Sequence, residues 1–392
     1  LFNLYLSDIP VPTNPRIHLT GYEDDYTITE SHPNYRTAET ILQPYLNTIT
    51  TWAKDNNLKL NANKTQATLF TPDPAEYSKS LNLTIEDNLL TTNPFPTILG
   101  LTFDPKITFA NHSKNTKSKA YKTIKIYKAL TGTSWGKNKE TIINTYKSIT
   151  RPILEYACST WAPIISTTNY NQLQIVQNQI ARIATGHTAD TNNNTVNQEA
   201  KLLPITAHTN LHTSNFRYDT THPDHPLNSL HHNPPPPRQK KKSVFNSTDN
   251  FILLHTTHHN EDQTQHKNQA KKAIHSEIVQ QHLATIPNNN ILNRPAPTID
   301  ETEVQLPRQT RRQLAQIRAN KSPLLMSYLH HIDPTNHPSP LCPLCGVAEH
   351  DTVHLFNCPH IPTVFDPGTL WSNPVGAATL IDRWTAALTG AQ

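Results

Sequence analysis

Three cysteines and one histidine near the end of the chain have the spacing of a metal site. Cys342 and Cys345 flank two residues, and His354 and Cys358 follow, which gives Cys-x2-Cys-x8-His-x3-Cys. Two thiolates on a tight turn and two further ligands one helical turn apart can surround a Zn²⁺ ion tetrahedrally, and four protein ligands leave no open position. The spacing therefore predicts a structural zinc ion held by these four residues.

Other interpretations of the same cysteines stay open. The pattern is also that of a redox Cys-x-x-Cys pair or of unrelated thiols, but neither accounts for the downstream His354 and Cys358. His350 and His360 are competing ligands, although His350 follows the second cysteine closely and His360 lies outside the spacing. A segment as short as residues 300–392 is expected to contain too little apolar surface to fold unaided, so metal binding should drive its folding.

Two adjacent aspartates, Asp24 and Asp25, form the second group that could do chemistry. They lie between two segments in which apolar and polar residues alternate, which predicts two short strands joined by an acidic turn. The alternating apolar residues are Ile17, Leu19, Tyr26 and Ile28. Carboxylates at a hairpin tip can hold the Mg²⁺ ions that activate a 3′-hydroxyl and stabilise a leaving pyrophosphate in nucleotidyl transfer. An ordinary surface turn is the alternative.

The composition limits the kinds of fold and partner that are expected for the rest of the chain. Only 35% of the 392 residues are hydrophobic, and there are 32 prolines against 9 glycines, which favours a modest core with loosely structured segments. The net charge of +4 is weak evidence for a nucleic-acid partner. Basic residues are nevertheless clustered, and solvated surface is the alternative interpretation. The clusters are Lys114, Lys117, Lys119, Lys122 and Lys125, and Arg238, Lys240, Lys241 and Lys242.

The remaining cysteine and most histidines carry no spacing signal. Cys158 stands alone and is interpreted as a buried thiol, and scattered histidines such as His258 and His259 are interpreted as compositional. The cysteines do not form a secreted disulfide framework. No signal peptide and no run of 18 apolar residues is visible, so we expect an intracellular protein without a membrane partner.

Several elements must position these groups. Apolar residues at helical spacing predict a helix over Thr37–Asn57, kinked at Pro44, and strands are expected at Ala67–Phe70 and Ile98–Phe103. Residues 111–186 have helical periodicity that stops at Gly186. The segment His222–Lys242 contains four consecutive prolines, which predicts an extended linker. A further helix is expected near Glu301–Leu329.

The order of these motifs resembles the reverse transcriptases of jockey-like non-LTR retrotransposons. The matching segments are Leu1–Pro10, Tyr22–Asp25, Trp52, Asn57–Thr65, Ile98–Asp104, Tyr127–Trp135, Tyr146–Trp161 and Gln174–Gly186. In the family they correspond to the region around the Tyr-x-Asp-Asp motif, a tryptophan helix with a Leu-x-Leu-Asn strand and a Lys-Thr pair, the primer-grip strand and the helical thumb. The cysteine segment and its flanks resemble the family's C-terminal zinc-binding tail.

The resemblance implies roles for five residues outside the cysteine segment. Asp24 and Asp25 correspond to the catalytic aspartates that bind Mg²⁺, and Tyr22, Lys64 and Gly100 are expected to contact the nucleotide or primer. An ordinary exposed lysine and a bulge glycine are the alternatives for Lys64 and Gly100.

Three departures from the family pattern bear on activity. Glu23 replaces the usual small residue, and this third carboxylate could repel its neighbours or raise their pKa. Asn57 stands where glycine is common. The first catalytic aspartate of the family is expected upstream of Leu1, as are the fingers and the endonuclease domain, so we expect this chain alone not to polymerise.

These observations predict an α+β fold with four parts. They are a partial palm at 1–110, a helical thumb or connection at 111–220, a poorly ordered linker at 221–300, and a helical segment with a zinc module at 301–392. The resemblance implies part of an RNA-directed DNA polymerase for target-primed reverse transcription, with template RNA and DNA primer or target as partners. It also implies the nucleus, and the cytoplasm as a ribonucleoprotein, as location. A non-enzymatic nucleic-acid-binding remnant and a decayed fragment are the alternatives.

Overall fold

The structure is a computed structural model that describes residues 5–132, 135–234, 245 and 263–390. It divides into two compact units, Leu1–His112 and Ser113–Gln392. Helices and strands both contribute, which agrees with the mixed class predicted from the sequence. The basic cluster of the predicted linker, most of its proline run, and His258 and His259 lie outside the described residues.

The first unit contains four two-stranded sheets. Its strands are β1 (Ile17–Tyr22), β2 (Asp25–Glu30), β3 (Gln66–Ala67), β4 (Thr84–Ile85), β5 (Asn88–Leu89), β6 (Thr91–Thr92), β7 (Thr97–Ile98) and β8 (Leu101–Thr102). The pairs β1–β2, β4–β5 and β7–β8 are antiparallel, whereas β3–β6 is parallel. The hairpin predicted around the acidic turn is confirmed as β1–β2. The single strand predicted over Ile98–Phe103 is wrong, because the chain turns at Leu99 and Gly100 between β7 and β8.

One long helix, α1 (Tyr35–Asp55), accompanies these strands and confirms the predicted helix. It begins where the Asn34 side chain accepts hydrogen bonds from two backbone N–H groups of the first turn. Pro44 lies inside the helix. Asn57 follows its end with a φ of 55°, a left-handed conformation that glycine and then asparagine tolerate best. This explains why asparagine can stand where the family pattern has glycine.

The second unit is helical. Its helices are α2 (Ala110–Lys122), α3 (Ile124–Leu130), α4 (Lys139–Thr145), α5 (Arg151–Glu155), α6 (Cys158–Trp161), α7 (Thr167–Thr185), α8 (Asn193–Glu199), α9 (Ile205–Thr220), α10 (Ser229–His232), α11 (Gln263–Ala284), α12 (Arg308–Arg318), α13 (Met326–Ile332), α14 (Thr369–Ser372) and α15 (Pro374–Gly390). Helix α7 ends at Gly186 with a φ of 77°, which confirms the predicted stop. Helix α11 lies within the segment predicted as a linker, and its Ala270 and Ile274 pack against Tyr218.

The C-terminal segment has an apolar core of its own. Leu314, Leu370 and Trp384 are fully buried there, and Cys342 and Cys358 belong to the same cluster. The indole Nε1 of Trp384 donates a hydrogen bond to the Leu355 carbonyl at 2.9 Å. The cysteine group therefore lies within this apolar core, and the expectation that metal binding drives folding of residues 300–392 stays a prediction.

Buried ion pairs tie this segment to helices α4 and α8. Three cations face three carboxylates, and all but Glu140 have side chains at most 12% exposed. The pairs are Lys139–Glu199 (3.0 Å), Lys139–Glu303 (2.9 Å), Arg311–Glu140 (2.5 Å), Arg311–Glu303 (3.4 Å), Arg318–Glu199 (2.9 Å) and Arg318–Glu303 (2.5 Å). Buried ion pairs thus join the predicted thumb and the predicted zinc module within one compact unit. The four predicted domain boundaries themselves stay a prediction.

None of the helices in the described ranges combines the length and the apolar character that crossing a membrane requires.

Candidate metal centre and nucleic-acid interface

The turn between Cys342 and Cys345 is built by backbone hydrogen bonds. The N–H of Gly346 donates to the Cys342 carbonyl, and the N–H of Cys342 donates to the Ala348 carbonyl, both at 2.8 Å. Gly346 has a φ of 67°, which favours glycine because a side chain in this region meets the following carbonyl. The turn directs both sulfurs of the Cys-x2-Cys pair to the same side of the chain.

The structure brings the four predicted zinc ligands together. The ligand atoms of Cys342, Cys345, His354 and Cys358 lie within 4.8 Å of one another, and Cys345 Sγ is 3.4 Å from His354 Nε2. Metal–sulfur and metal–nitrogen bonds of about 2.3 and 2.0 Å place tetrahedral ligand atoms about 3.4 to 3.8 Å apart. Three of the four side chains belong to buried residues. This donor set fits a closed, structural Zn²⁺ site.

Backbone dipoles stabilise one of the thiolates. The N–H groups of Val347 and Ala348 point at Cys345 and lower the pKa of its thiol. Burial instead raises the pKa of Cys342 to about 11, although two backbone N–H groups oppose the effect. Zinc binds thiolates, so a metal ion bound here would release the proton that burial retains on Cys342.

The structure separates His354 from the competing histidines. His350 is fully buried and its Nδ1 accepts a hydrogen bond from the Met326 N–H at 3.2 Å, while its ring lies 4.9 Å from the ring of Trp384. Burial lowers the pKa of His350 to about 4, so its ring is neutral near pH 7. His360 is exposed and is not part of the cysteine group.

The acidic hairpin presents its carboxylates to solvent. Tyr22 pairs with Asp25, so Glu23 and Asp24 form the two-residue turn, and all four residues are exposed. Glu23 has a φ of 53°, whereas the first position of such a turn favours glycine. The family pattern thus has a small residue at a position where the backbone adopts a positive φ. Neither aspartate makes a side-chain hydrogen bond or an ion pair within the described part of the chain.

The other residues implied by the resemblance lie elsewhere in the first unit. Lys64 is exposed in a loop where its N–H donates to the Asn61 carbonyl. Gly100 follows Leu99 in the β7–β8 turn, and both have positive φ, at 79° and 46°. Gly100 therefore has a conformational reason to be glycine, independent of any primer contact. Across the described ranges, no hydrogen bond or ion pair joins Lys64 or Gly100 to the two aspartates.

A basic cleft of about 310 Å³, not anticipated from the sequence, lies in the second unit. Its charged lining residues are Lys128, Arg182, Arg308 and Arg312, and no described lining residue is acidic. His187 also lines it, but burial lowers the pKa of this ring to about 4. The cleft is thus lined by four cationic side chains, of which Arg182 and Arg308 also donate to backbone carbonyls.

The end of helix α7 positions two of these arginines. Arg308 donates through Nη2 to the Ile183 carbonyl at 2.8 Å and through Nη1 to the Ala184 carbonyl at 3.2 Å. Arg312 Nε donates to the Gly186 carbonyl at 3.3 Å. Unpaired carbonyls at a helix C-terminus carry partial negative charge and attract cations. Burial, and then Arg312 and Arg311, lower the pKa of Arg308, which shows how closely the cations crowd.

Comparison with known proteins identifies similar polymerases. No family model matches the chain, and no solved structure matches it. Three Drosophila melanogaster proteins are similar. "Probable RNA-directed DNA polymerase from transposon BS" is 26% identical over 228 residues, which are 55% of this chain and 24% of that protein. "Probable RNA-directed DNA polymerase from transposon X-element" is 26% identical over 226 residues, 55% of this chain and 24% of that protein.

The third similar protein is "RNA-directed DNA polymerase from mobile element jockey", which is 25% identical over 198 residues, 47% of this chain and 20% of that protein. The aligned regions thus span a quarter or less of each relative. The resemblance to RNA-directed DNA polymerases of non-LTR retrotransposons is confirmed.

Proposed function

We propose that this chain is part of an RNA-directed DNA polymerase of a non-LTR retrotransposon, acting in target-primed reverse transcription. The observation that carries the proposal is the similarity to three transposon polymerases over about half the chain. The proposal includes the nucleus, and the cytoplasm as a ribonucleoprotein, as the places where the protein acts.

Within this proposal the first unit contributes to the catalytic site. Asp24 and Asp25 hold Mg²⁺, and Tyr22, Lys64 and Gly100 contact the nucleotide or primer. The exposed position of both carboxylates at a hairpin tip supports this role, since they are accessible to metal and substrate. Magnesium bound there would activate the attacking 3′-hydroxyl and stabilise the leaving pyrophosphate. The residues' own part is to place two negative charges side by side at the end of a rigid hairpin.

The second unit holds nucleic acid through the basic cleft. Four cations without a lining carboxylate match the phosphate backbone, which supplies most of the sequence-independent affinity for nucleic acid. Helix α12 carries Arg308 and Arg312 to the cleft, and its other face packs in the core that contains Cys342 and Cys358. A zinc ion held by Cys342, Cys345, His354 and Cys358 would fix the segment that presents those arginines.

Binding of a labelled RNA–DNA primer–template at several salt concentrations tests the interface. Lys128→Gln and Arg312→Gln should each weaken binding and lower the slope of log affinity against log salt by about one, because each removes about one phosphate contact. Lys272→Gln on helix α11 is the matched control, since Lys272 is exposed in the same unit and does not line the cleft. An equal loss of affinity in all three variants, or no loss in any of them, would contradict the assignment of the cleft as the nucleic-acid interface.

Primer extension with Mg²⁺ separates catalysis from binding. Product that depends on Mg²⁺ and disappears in Asp24→Asn would establish polymerase activity at the hairpin. Because the resemblance implies a further catalytic aspartate upstream of Leu1, extension is also measured with this chain joined to that upstream region. Binding that requires the cleft, without extension by the joined protein, would favour the rival function, a non-enzymatic nucleic-acid-binding protein built from the second unit. The specific observation that favours the rival is that the cleft and the cysteine group both lie in that unit.

A further inference from the structure

Two histidines and a glutamate converge in the second unit, away from the cysteine group. His208 Nδ1 lies 2.8 Å and His212 Nε2 lies 3.6 Å from Oε2 of Glu155. The ligand atoms of the three residues lie within 4.8 Å of one another, and the two imidazole rings are 4.8 Å apart between centroids. Spacing along the sequence does not single out these histidines, because Glu155 lies more than fifty residues upstream.

Local structure explains why the three side chains meet. His208 and His212 are four residues apart on helix α9, so they occupy the same face one turn apart. Glu155 is the last residue of helix α5, and α9 packs against the adjacent helix α6. Two histidines at i and i+4 form a chelating pair, and a carboxylate from a second helix completes a facial set of three ligands.

The glutamate has an unsatisfied charge. Its side chain is 7% exposed, and Oε1 is buried without a hydrogen-bond partner among the described residues. Although His208 Nδ1 is within contact distance of Oε2, its alignment is not that of a hydrogen bond, so this buried nitrogen also lacks a partner in the described ranges. A buried carboxylate is costly unless a cation or hydrogen-bond donors compensate it. Arg151 is the nearby cation on the same helix, and it makes no described ion pair with Glu155.

We infer that Glu155, His208 and His212 form a second metal site, which takes a divalent transition metal such as Zn²⁺. Imidazole nitrogens with one carboxylate suit Zn²⁺, Co²⁺, Ni²⁺ or Cu²⁺, and differ from the thiolate-rich group at the C-terminus. Three protein ligands leave a coordination position for water, unlike the closed Cys3His group. His212, whose side chain is 50% exposed, gives the ion its route from solvent. The bound ion would link helix α5 to helix α9.

Elemental analysis of the full chain after equilibrium dialysis against zinc is the direct test. The wild type should hold two equivalents, whereas His212→Ala and Glu155→Gln should each hold one. His275→Ala, an exposed histidine on helix α11, is the matched control and should hold two. Conversely, Cys358→Ser should lose the other equivalent, so the double variant Cys358→Ser/His212→Ala should hold none.

Cobalt substitution identifies which site each equivalent occupies. Thiolate ligands give an intense charge-transfer band in the near ultraviolet, and that band should be the same in the wild type and in His212→Ala. Its persistence shows that the Cys3His group is intact in the variant, and an unchanged circular dichroism spectrum shows that the helices are kept. One equivalent of zinc in both the wild type and His212→Ala would overturn the proposal. A protonated histidine paired with Glu155 would then explain why the three side chains meet. Two equivalents in His212→Ala and in Glu155→Gln would overturn it as well.

Discussion

Replacing Arg318 by methionine should strongly destabilise the second unit at pH 7. The Arg318 side chain is 2% exposed and contacts Glu199 at 2.9 Å and Glu303 at 2.5 Å. Its Nε and Nη2 also donate to the Leu370 carbonyl, at 2.9 and 2.6 Å. Methionine fills much of the same volume, so the variant removes the charge and the hydrogen bonds to Leu370 while it keeps most of the packing.

The expected loss is about 3–5 kcal/mol, the usual cost of removing one partner of a buried ion pair. Both carboxylates are at most 5% exposed, and Lys139 and Arg311 alone would compensate them incompletely. Lys321→Met is the matched control. The Lys321–Asp190 pair, at 3.2 Å, is 30% and 39% exposed, and such a pair contributes about 1 kcal/mol or less.

Urea unfolding followed by tryptophan fluorescence and circular dichroism measures both variants. Trp161, Trp371 and Trp384 are buried in the second unit and report on its unfolding. A loss below about 1 kcal/mol for Arg318→Met, or an equal loss for Lys321→Met, would refute the reasoning.

The pH dependence checks that charge is the cause. Burial alone would raise the pKa of Glu199, but Arg318 and Lys139 outweigh it and hold the pKa below the ordinary value of 4.5. A carboxyl group whose pKa is lower in the folded than in the unfolded protein stabilises the folded state at pH values above the unfolded-state pKa. This stability is lost as the pH falls toward the folded-state pKa. The difference between the wild type and Arg318→Met should therefore shrink from pH 6 to pH 3. A constant difference would show that Arg318 acts through packing and its hydrogen bonds to the Leu370 carbonyl, and not through its charge.

Three further predictions concern the metal turn and the acidic hairpin. Cys358→Ser should lose the zinc of the Cys3His group in elemental analysis, whereas His350→Gln should keep it; zinc loss in His350→Gln alone would reverse the ligand assignment. Gly346→Ala should weaken zinc binding about fivefold, because a side chain at a φ of 67° costs about 1 kcal/mol. Competition with a chelator measures the affinity, and an unchanged affinity would contradict the prediction. Glu23→Gly should stabilise the first unit by about 1 kcal/mol in thermal unfolding, because it relieves a φ of 53°. A lower melting temperature would count against the turn geometry.

Local signals made the acidic hairpin and the cysteine group predictable. The alternation around Asp24 and the Cys-x2-Cys spacing each depend on residues close in sequence, and hairpins and metal turns are local structures. Choosing His354 over His350 needed spacing alone. What spacing could not show is that His350 Nδ1 accepts a hydrogen bond from the Met326 N–H and that its ring packs on Trp384, 34 residues further on.

Long-range contacts were out of reach of the sequence. Glu199 meets Arg318 across 119 residues, and Arg308 meets the end of helix α7 across more than 120. A partial signal did exist, since the arginines of α12 recur at helical spacing: Arg308 and Arg312 are four apart, and Arg311 and Arg318 are seven apart. That periodicity predicts two basic faces, but only the fold shows that one faces a cleft and the other faces buried carboxylates.

The buried ion pairs also decide what nucleic-acid binding can reveal about function. The buried Glu199–Arg318 pair, at 2.9 Å, joins helix α8 to the C-terminal segment within one compact unit. The cleft cations and the cysteine group are therefore held in the same unit whether or not the hairpin catalyses anything. Under the proposed function, a chain without polymerase activity would still bind nucleic acid through the cleft. The cleft variants consequently test the second unit, and only chemistry that depends on Asp24 and Asp25 separates a polymerase from a binding protein.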